Sequence, residues 1–425
     1  MRPLFSCLLA SSTLFIHTLS FALATPSSEQ PLRIDRAEAV QYAWEYNLEL
    51  AAARLLIEQA EARSLDAGRL ENPILGLRSK SDFIDQNEGD HDLRVAFEQR
   101  FPVTDRLRRE KDIAATEIKL AKAEVAQREL ELAIEVARAY VLVAHREAEM
   151  GMREAMLEVT SALADFVASR VESAEASKIE VNRLRIARFR EEQRIADLEL
   201  DLERARARLA ETMSLEPGRR IELKTPFGSE PIAEVPALDD DWLADHPAYR
   251  IRERLAELAD GRFFLARAER WGDVAVELFI ESEYEIGASG DSKRENIAGV
   301  QMKIPLPIHQ QNRGEIEARR IRRHKTALRM EAVEQNLRRK AELQAVKTTH
   351  AIKHMRVFTD DVSELLDTNM AGMQRAYALG QIDFDALLLA RRELLEIRSQ
   401  QLELRAEYEA ARIDWAAATG QIHLF

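Results

Sequence analysis

Cysteine is almost missing from this 425-residue sequence, and the single one, Cys7, lies in the N-terminal segment. There Arg2 supplies a positive start, an apolar stretch runs from Leu8 to Leu23, and Ala22-Leu23-Ala24 gives a small-x-small cleavage pattern. Residues 1–24 are therefore expected to be a secretory signal peptide, with Thr25 as the mature start. Cys7 is not at that cleavage site, as a lipid anchor would require, so the mature chain has no disulfide, no thiolate ligand and no cysteine nucleophile. No later stretch approaches the roughly 20 consecutive apolar residues of a spanning helix, so a membrane could be crossed only by strands. A basic excess is missing as well: the net charge is −13, and loss of Arg2 with the signal makes it one unit more negative. Such an exported chain is a poor candidate for nucleic-acid binding. Its acidity fits solubility or a cation-tolerant, water-filled interior.

Glycine, at 15, proline, at 12, and aromatic residues, at 6%, are scarce too. What remains is rich in Ala, Leu, Glu and Arg, with 46% hydrophobic and 32% charged residues. That mixture suits long helices with narrow apolar seams better than one large globular core.

The sequence repeats itself at a lag of about 200 residues, far longer than a solenoid period. Ala60 to Pro73 matches Ala259 to Gly272, and Glu98 to Val103 matches Gln301 to Leu306. Ala174 to Ser177 matches Gly380 to Asp383, after which Val181 pairs with Leu387 and Arg185 with Arg391. Residues 25–213 and 241–420 are thus expected to be two structural repeats, each reading helix, strand, strand, very long helix, turn, helix. Residues 214–240, carrying Pro217, Gly218, Pro226, Gly228, Pro231 and Pro236, form the linker, and 421–425 a C-terminal tail.

In the first half a helix is expected from about Asp35 to Arg69, with Asp35 and Glu38 in capping-box register and Asn72-Pro73 as its stop. Strands are expected at Ile74 to Lys80 and at Asp92 to Phe101, where Leu93, Val95 and Phe97 alternate with Arg94, Ala96 and Glu98. Ser81 to His91 reads as a loop. The second half repeats this with Val274, Val276, Leu278 and Ile280 on one strand, a loop over Gly287 to Glu295, and a return strand over Ile297 to Ile304. The spans Asp105 to Ser169 and Arg313 to Tyr377 contain no proline and predict helices that could each reach about 100 Å. Heptad seams recur on them: Ile118, Val125, Leu132 and Ala139; Leu120, Gln127, Ile134 and Val141; Leu388, Leu395 and Leu402, opposite Ile397, Leu404, Ala411 and Ala418. Two seams on one helix imply neighbours on both sides, as in a tube.

Four strands of this length fit a bilayer-spanning sheet. Such a sheet must close, because an open edge leaves backbone groups unsatisfied in lipid. Four strands cannot close alone, so several chains would share one barrel. The predicted fold class is therefore mainly α with a small β part: a long-helix α-barrel plus four membrane-spanning strands per chain, closed as an oligomer.

The order strand, proline, long helix, Gly-containing turn, helix, given twice, resembles the TolC-like outer-membrane efflux channels over about Leu32 to Gly420. The segment VQMKIPLPIHQQNRGEI, Val300 to Ile316, looks like the outer-membrane component of cobalt–zinc–cadmium-type cation efflux systems. Asp245-His246-Pro247-Ala248 and Gly380-Gln381-Ile382 resemble that branch too. The resemblance implies a homotrimer with a twelve-stranded barrel in outer-membrane lipid and a helical tube across the periplasm of a Gram-negative bacterium. Its partners would be a periplasmic adaptor and a proton-driven inner-membrane pump of the RND type. It would pass divalent metal cations, or alternatively drugs or secreted proteins. A coiled-coil adaptor or scaffold is the rival from another class. The family's periplasmic gate lies at the turns that here are Arg170 to Ser177 and Arg375 to Asp383. This makes Glu175, Glu180, Tyr377, Asp383 and Asp385 gate candidates, although Ala386 stands where the family usually has an acid. The same acids fit helix N-caps and first turns.

His350 and His354 stand at i, i+4, on one helical face, but two ligands rarely hold zinc alone, and structural or surface roles fit them better. His309 reads as a turn residue. Paired carboxylates, a phosphate loop and a nucleophile with its base partner are not recognisable, so neither an enzyme nor a bound cofactor is expected. The basic runs Arg319 to Lys325 and Arg338 to Lys340 read as solvated helix faces.

Overall fold

The computed structural model describes residues 31–81, 91–173, 176–235, 237–238, 241–286, 291–357 and 360–421. The signal peptide expected over 1–24, the gate candidate Glu175 and residues 422–425 of the tail lie outside them. The chain enters on β1 (Leu32–Ile34), α1 (Arg36–Tyr46) and α2 (Leu48–Ser64). Asp35 caps α1 through the capping box read from the sequence: its carboxylate accepts from the Glu38 N–H, and Glu38 accepts from the Asp35 N–H. The single helix expected to Arg69 is broken, however. Asn47 leaves helical geometry, its side chain accepts from the Leu50 N–H to start α2, and its amide donates to the Thr212 carbonyl. An Asn that caps forward and reaches a distant carbonyl outweighs one more helical turn.

The strand pair β2 (Ile74–Ser81) and β3 (His91–Phe101) follows, then α3 (Arg106–Glu172) and α4 (Lys178–Thr212). At 1.5 Å per residue, α3 is about 100 Å long. The linker is not wholly irregular: it contains β4 (Ile221–Leu223), which pairs in parallel with β1. Next come α5 (Trp242–Asp245), α6 (Pro247–Ala268), β5 (Val274–Ile286) and β6 (Ser292–Lys303). The latter two run longer than the expected strands, so Ser292 to Glu295 belong to β6 and not to a loop. Cross-strand partners such as Glu283 with Glu295 and Glu285 with Lys293 extend the ladder beyond the apolar alternation that marked it. The chain closes with α7 (Arg313–Val357), α8 (Asp360–Ala378) and α9 (Phe384–Thr419). The single helix expected over Arg313 to Tyr377 is thus described as α7 and α8.

The four long strands form one antiparallel sheet in the order β2-β3-β5-β6. Its centre pairs β3 of the first half with β5 of the second, from His91 against Tyr284 to Phe101 against Val274. The helices extend from one end of this sheet, α3 packing on α4, α6 and α9, and α7 on α6 and α9. One core gathers Ile34, Val40, Leu50, Val136, Tyr140, Val143, Leu209 and Ile221 around the small β1–β4 pair. A second, nearer the far helical end, gathers Met156, Leu163, Val167, Leu184, Met370, Tyr377, Phe384 and Leu387. Of the expected seams, Val125, Leu132 and Ala139 are buried, whereas Leu388, Leu395 and Leu402 are only half-buried and Leu387 and Leu394 beside them face the core. The poorer seam, Leu120, Gln127, Ile134 and Val141, is half-buried as well.

Between the two cores an ionic cluster fixes the linker to both halves. Arg36 Nη1 donates to Glu409 at 2.8 Å and Nη2 to Glu230 at 2.9 Å. Arg405 pairs with Glu409 at 2.9 Å and also donates to the Glu230 carbonyl. Arg36, Arg405 and Glu409 are all buried, a placement that charges tolerate only when paired.

Candidate functional site

The sheet separates its residues by face. One face carries Leu75, Phe97, Leu278 and Val300 in one cross-strand row and Leu77, Val95, Ile280 and Ala298 in the next. The other carries Ile74, Glu98, Glu277 and Gln301, then Arg78, Arg94, Glu281 and Ile297. Alternation along a strand produces such faces whenever every second residue is apolar. The unusual point is which face is open. Leu77 is 73% exposed and Val300 70%, while Glu277 is 9% exposed; along β3, Leu93, Val95 and Phe97 are exposed and Asp92, Arg94 and Glu98 half-buried.

The sheltered face is internally neutralised. Arg94 donates to Glu277 at 2.8 Å, Arg78 to Glu281 at 3.1 Å, and Lys303 to both Glu98 and Glu277 at 2.9 and 3.0 Å. The Phe279 ring lies under the Arg94 guanidinium, 3.9 Å from its centroid, a cation–π arrangement. The ring also covers Gly299, where an added Cβ would stand 2.5 Å from it. Only glycine lets the aromatic ring lie flat across the strand there.

The second candidate region is the far end of the helices, where the α3–α4 turn meets the α8–α9 turn. Gly380 adopts φ +69° and closes the second turn, a conformation costly for residues with a Cβ. The gate candidates separate here. The Tyr377 hydroxyl donates to Glu180 Oε2 at 3.0 Å, so these two meet. Tyr377 is buried, with its carbonyl accepting from Arg170 Nη1 at 3.0 Å, the Arg170 guanidinium over its ring, and Phe166 and Phe384 at its edges. Burial, then the hydrogen bond to Glu180, pushes its phenol up to about 12. Asp383 caps α9 by accepting from the Ala386 N–H at 2.8 Å, and Asp385 pairs with Arg183 of α4.

Sequence reasoning missed Arg170, Arg183 and a third link between the two hairpins. In that link Arg391 Nε donates to Thr160 Oγ1 at 2.8 Å and lies 3.7 Å from Glu191, which also accepts from Arg153. Burial pushes the Arg391 guanidinium down, against the pull of Glu191. The repeat alignment set Arg391 opposite Arg185 and was the available signal, but it carried no hint of contact with Thr160.

The histidines stand apart. His350 and His354 touch on the exposed side of α7, with ring centroids 4.0 Å apart. No group of three or more His, Cys, Asp or Glu side chains arranged to hold a metal ion occurs among the described residues. Among those residues no helix is long and apolar enough to cross a membrane.

No protein-family model matches the chain, and no curated protein sequence matches it. Solved structures do. CusC, whose crystal structures follow folding and transmembrane channel formation, is 17% identical with a TM-score of 0.73, covering 94% of this chain and 95% of its own. The outer membrane protein VceC of Vibrio cholerae is 16% identical with a TM-score of 0.70, covering 91% and 96%. The open-state MtrE outer membrane channel of Neisseria gonorrhoeae is 15% identical with a TM-score of 0.69, covering 91% and 88%. What these likenesses share is the architecture, and the chain accordingly has the outer-membrane-channel fold of the TolC-like proteins that its sequence resembles.

Proposed function

We propose that this chain is the outer-membrane channel of a tripartite efflux system, a passive duct and not an enzyme. The observation that carries the reading is the inverted sheet, with its aliphatic face open and the charged side chains Arg94, Glu98, Glu277 and Glu281 of its two central strands sheltered. In water this arrangement wastes apolar burial at roughly 25 cal/mol for each Å² left exposed. In a bilayer the same face is satisfied by acyl chains, and the charged face lines a wet lumen. The edge strands β2 and β6 then need partners, because lipid offers none for their backbone groups. Sister chains supply them, and a homotrimer closes a barrel of twelve strands. The half-buried second seams are where neighbouring helices would pack to continue the tube through the periplasm.

The two repeats, 25–213 and 241–420, would contribute equivalent strand and helix pairs, with 214–240 as the joint and 1–24 removed on export. The turns around Glu175, Glu180, Tyr377, Asp383 and Asp385 form the periplasmic entrance, opened when an adaptor and an inner-membrane, proton-driven pump engage it. Divalent metal cations are the cargo favoured by the Val300 to Ile316 resemblance, and the acidic balance of the chain suits such ions.

Planar-bilayer conductance of the purified mature protein tests the channel: discrete, cation-preferring openings support it, and a monomer soluble without detergent overturns it. Metal hypersensitivity of a deletion strain tests the cargo. Hypersensitivity confined to hydrophobic drugs overturns the cation assignment and leaves the duct intact.

A further inference from the structure

We propose that His350 and His354 form a chelating site for one divalent cation of the copper, nickel and zinc class on the exposed side of α7. Both lie in one unbroken helix. Side chains four apart on a helix sit one turn above each other, within reach of a common ion. Here the two imidazole rings are already in contact, with centroids 4.0 Å apart and planes inclined by 45°. Adjacent positions on one ion, at about 2.0–2.1 Å per bond, need donor nitrogens about 3 Å apart. A small side-chain rotation achieves this, and both rings are exposed and free to make it.

The helix beneath them is held. Its other side, Ala351, Ile352 and Met355, is buried against Tyr408 of α9 and against Ile232 and Val235 of the linker. The backbone therefore holds both histidines on the exposed side one turn apart, so only their side chains are left for the ion to order. Arg356 is engaged by Glu234 at 3.1 Å, while Lys347 and Lys353 flank the pair as solvated charges. Those cations weaken the site, and two imidazoles leave the remaining positions to water. Copper(II), which favours nitrogen donors above nickel and zinc, is the strongest occupant. This site is independent of the channel reading.

The test is titration of untagged, detergent-solubilised mature protein with Cu²⁺, followed by calorimetry and electron paramagnetic resonance. One ion per chain with nitrogen hyperfine structure is expected. Either His350→Ala or His354→Ala should weaken binding by about tenfold or more, the double variant should lose less than the product of the two single losses, and His309→Ala should change nothing. A joint loss smaller than the product of the two single losses is the mark of chelation. Independent losses of about twofold in each single variant, unchanged binding in the double variant, or no nitrogen signal would each overturn the proposal.

Discussion

The Tyr377 hydroxyl donates to Glu180 Oε2 at 3.0 Å and so ties the end of α8 to the first turn of α4. A hydrogen bond of this kind contributes about 0.5–1.5 kcal/mol, more when the acceptor is charged. Tyr377→Phe removes it and keeps the ring against Phe166 and Phe384. If the turns form the entrance, open probability should rise about 2- to 10-fold in bilayer recordings. An unchanged open probability would sink the gating role. Because the phenol is held up at about 12, against an ordinary 10.0, the bond should survive moderate alkali. The unfolded tyrosine ionises first, so stability should decline between those two values, and ultraviolet titration would locate the late phenol.

Asp383 and Asp385 should behave differently despite their proximity. Asp383 caps α9, and Asp383→Ala should lower stability by about 1 kcal/mol with little effect on conductance. Asp385 pairs with Arg183 across two exposed surfaces, an arrangement worth about 0–1 kcal/mol. Asp385→Asn should barely move the denaturation midpoint, so any change in gating belongs to the link between hairpins. A large stability loss for Asp385→Asn would contradict this division.

Acid should weaken the fold through two histidines. Burial pushes His246 below its ordinary 6.5, while its Nδ1 accepts the Ala248 N–H that starts α6. His145, against the Phe227 ring, is lowered by burial too. The unfolded chain takes up these protons near 6.5 and the folded one resists them. Stability is therefore full above that value and falls as pH drops through it, by up to about 1.4 kcal/mol per pH unit for each group. Denaturant midpoints compared above and below that pH in wild type and His246→Gln should show a shallower slope in the variant. Identical slopes would remove His246 from the explanation.

Glu409 joins Arg36 of the first half to Arg405 of α9 at the centre of the ionic cluster. Glu409→Ala leaves Arg36 and Arg405 buried without their shared carboxylate and should cost about 3–5 kcal/mol. Thermal unfolding in detergent checks this; a loss below about 1 kcal/mol would mean that Glu230 alone neutralises the cluster.

Much of this architecture was legible because its signals are local. The Asp35–Glu38 capping box, the proline-free run after Asp105 and the alternation along Leu93 to Phe97 are read from neighbours in sequence. What escaped depends on distant partners. Asn47 breaks a helix because Thr212 waits for its amide. Ile221 to Leu223 become a strand only because Leu32 to Ile34 lie beside them. Ser292 to Glu295 look like loop, since polar residues hide a ladder sustained by β5. At the helical end, Glu180 and Tyr377 were legible as candidates through family likeness. Arg170, which meets Tyr377, and Arg183, which meets Asp385, were not, because nothing in a charged helical run shows which arginine turns toward the neighbouring hairpin.

The pairing of β3 with β5 has a consequence for biogenesis. Phe101 must find Val274, a contact that closes a loop of well over a third of the polypeptide and is slow to form on loop-closure grounds. On the channel reading, two oily hairpins would until then travel separately through an aqueous compartment. They would need escorts to keep them from sticking to other chains, and assembly would begin with the helices and finish with the sheet.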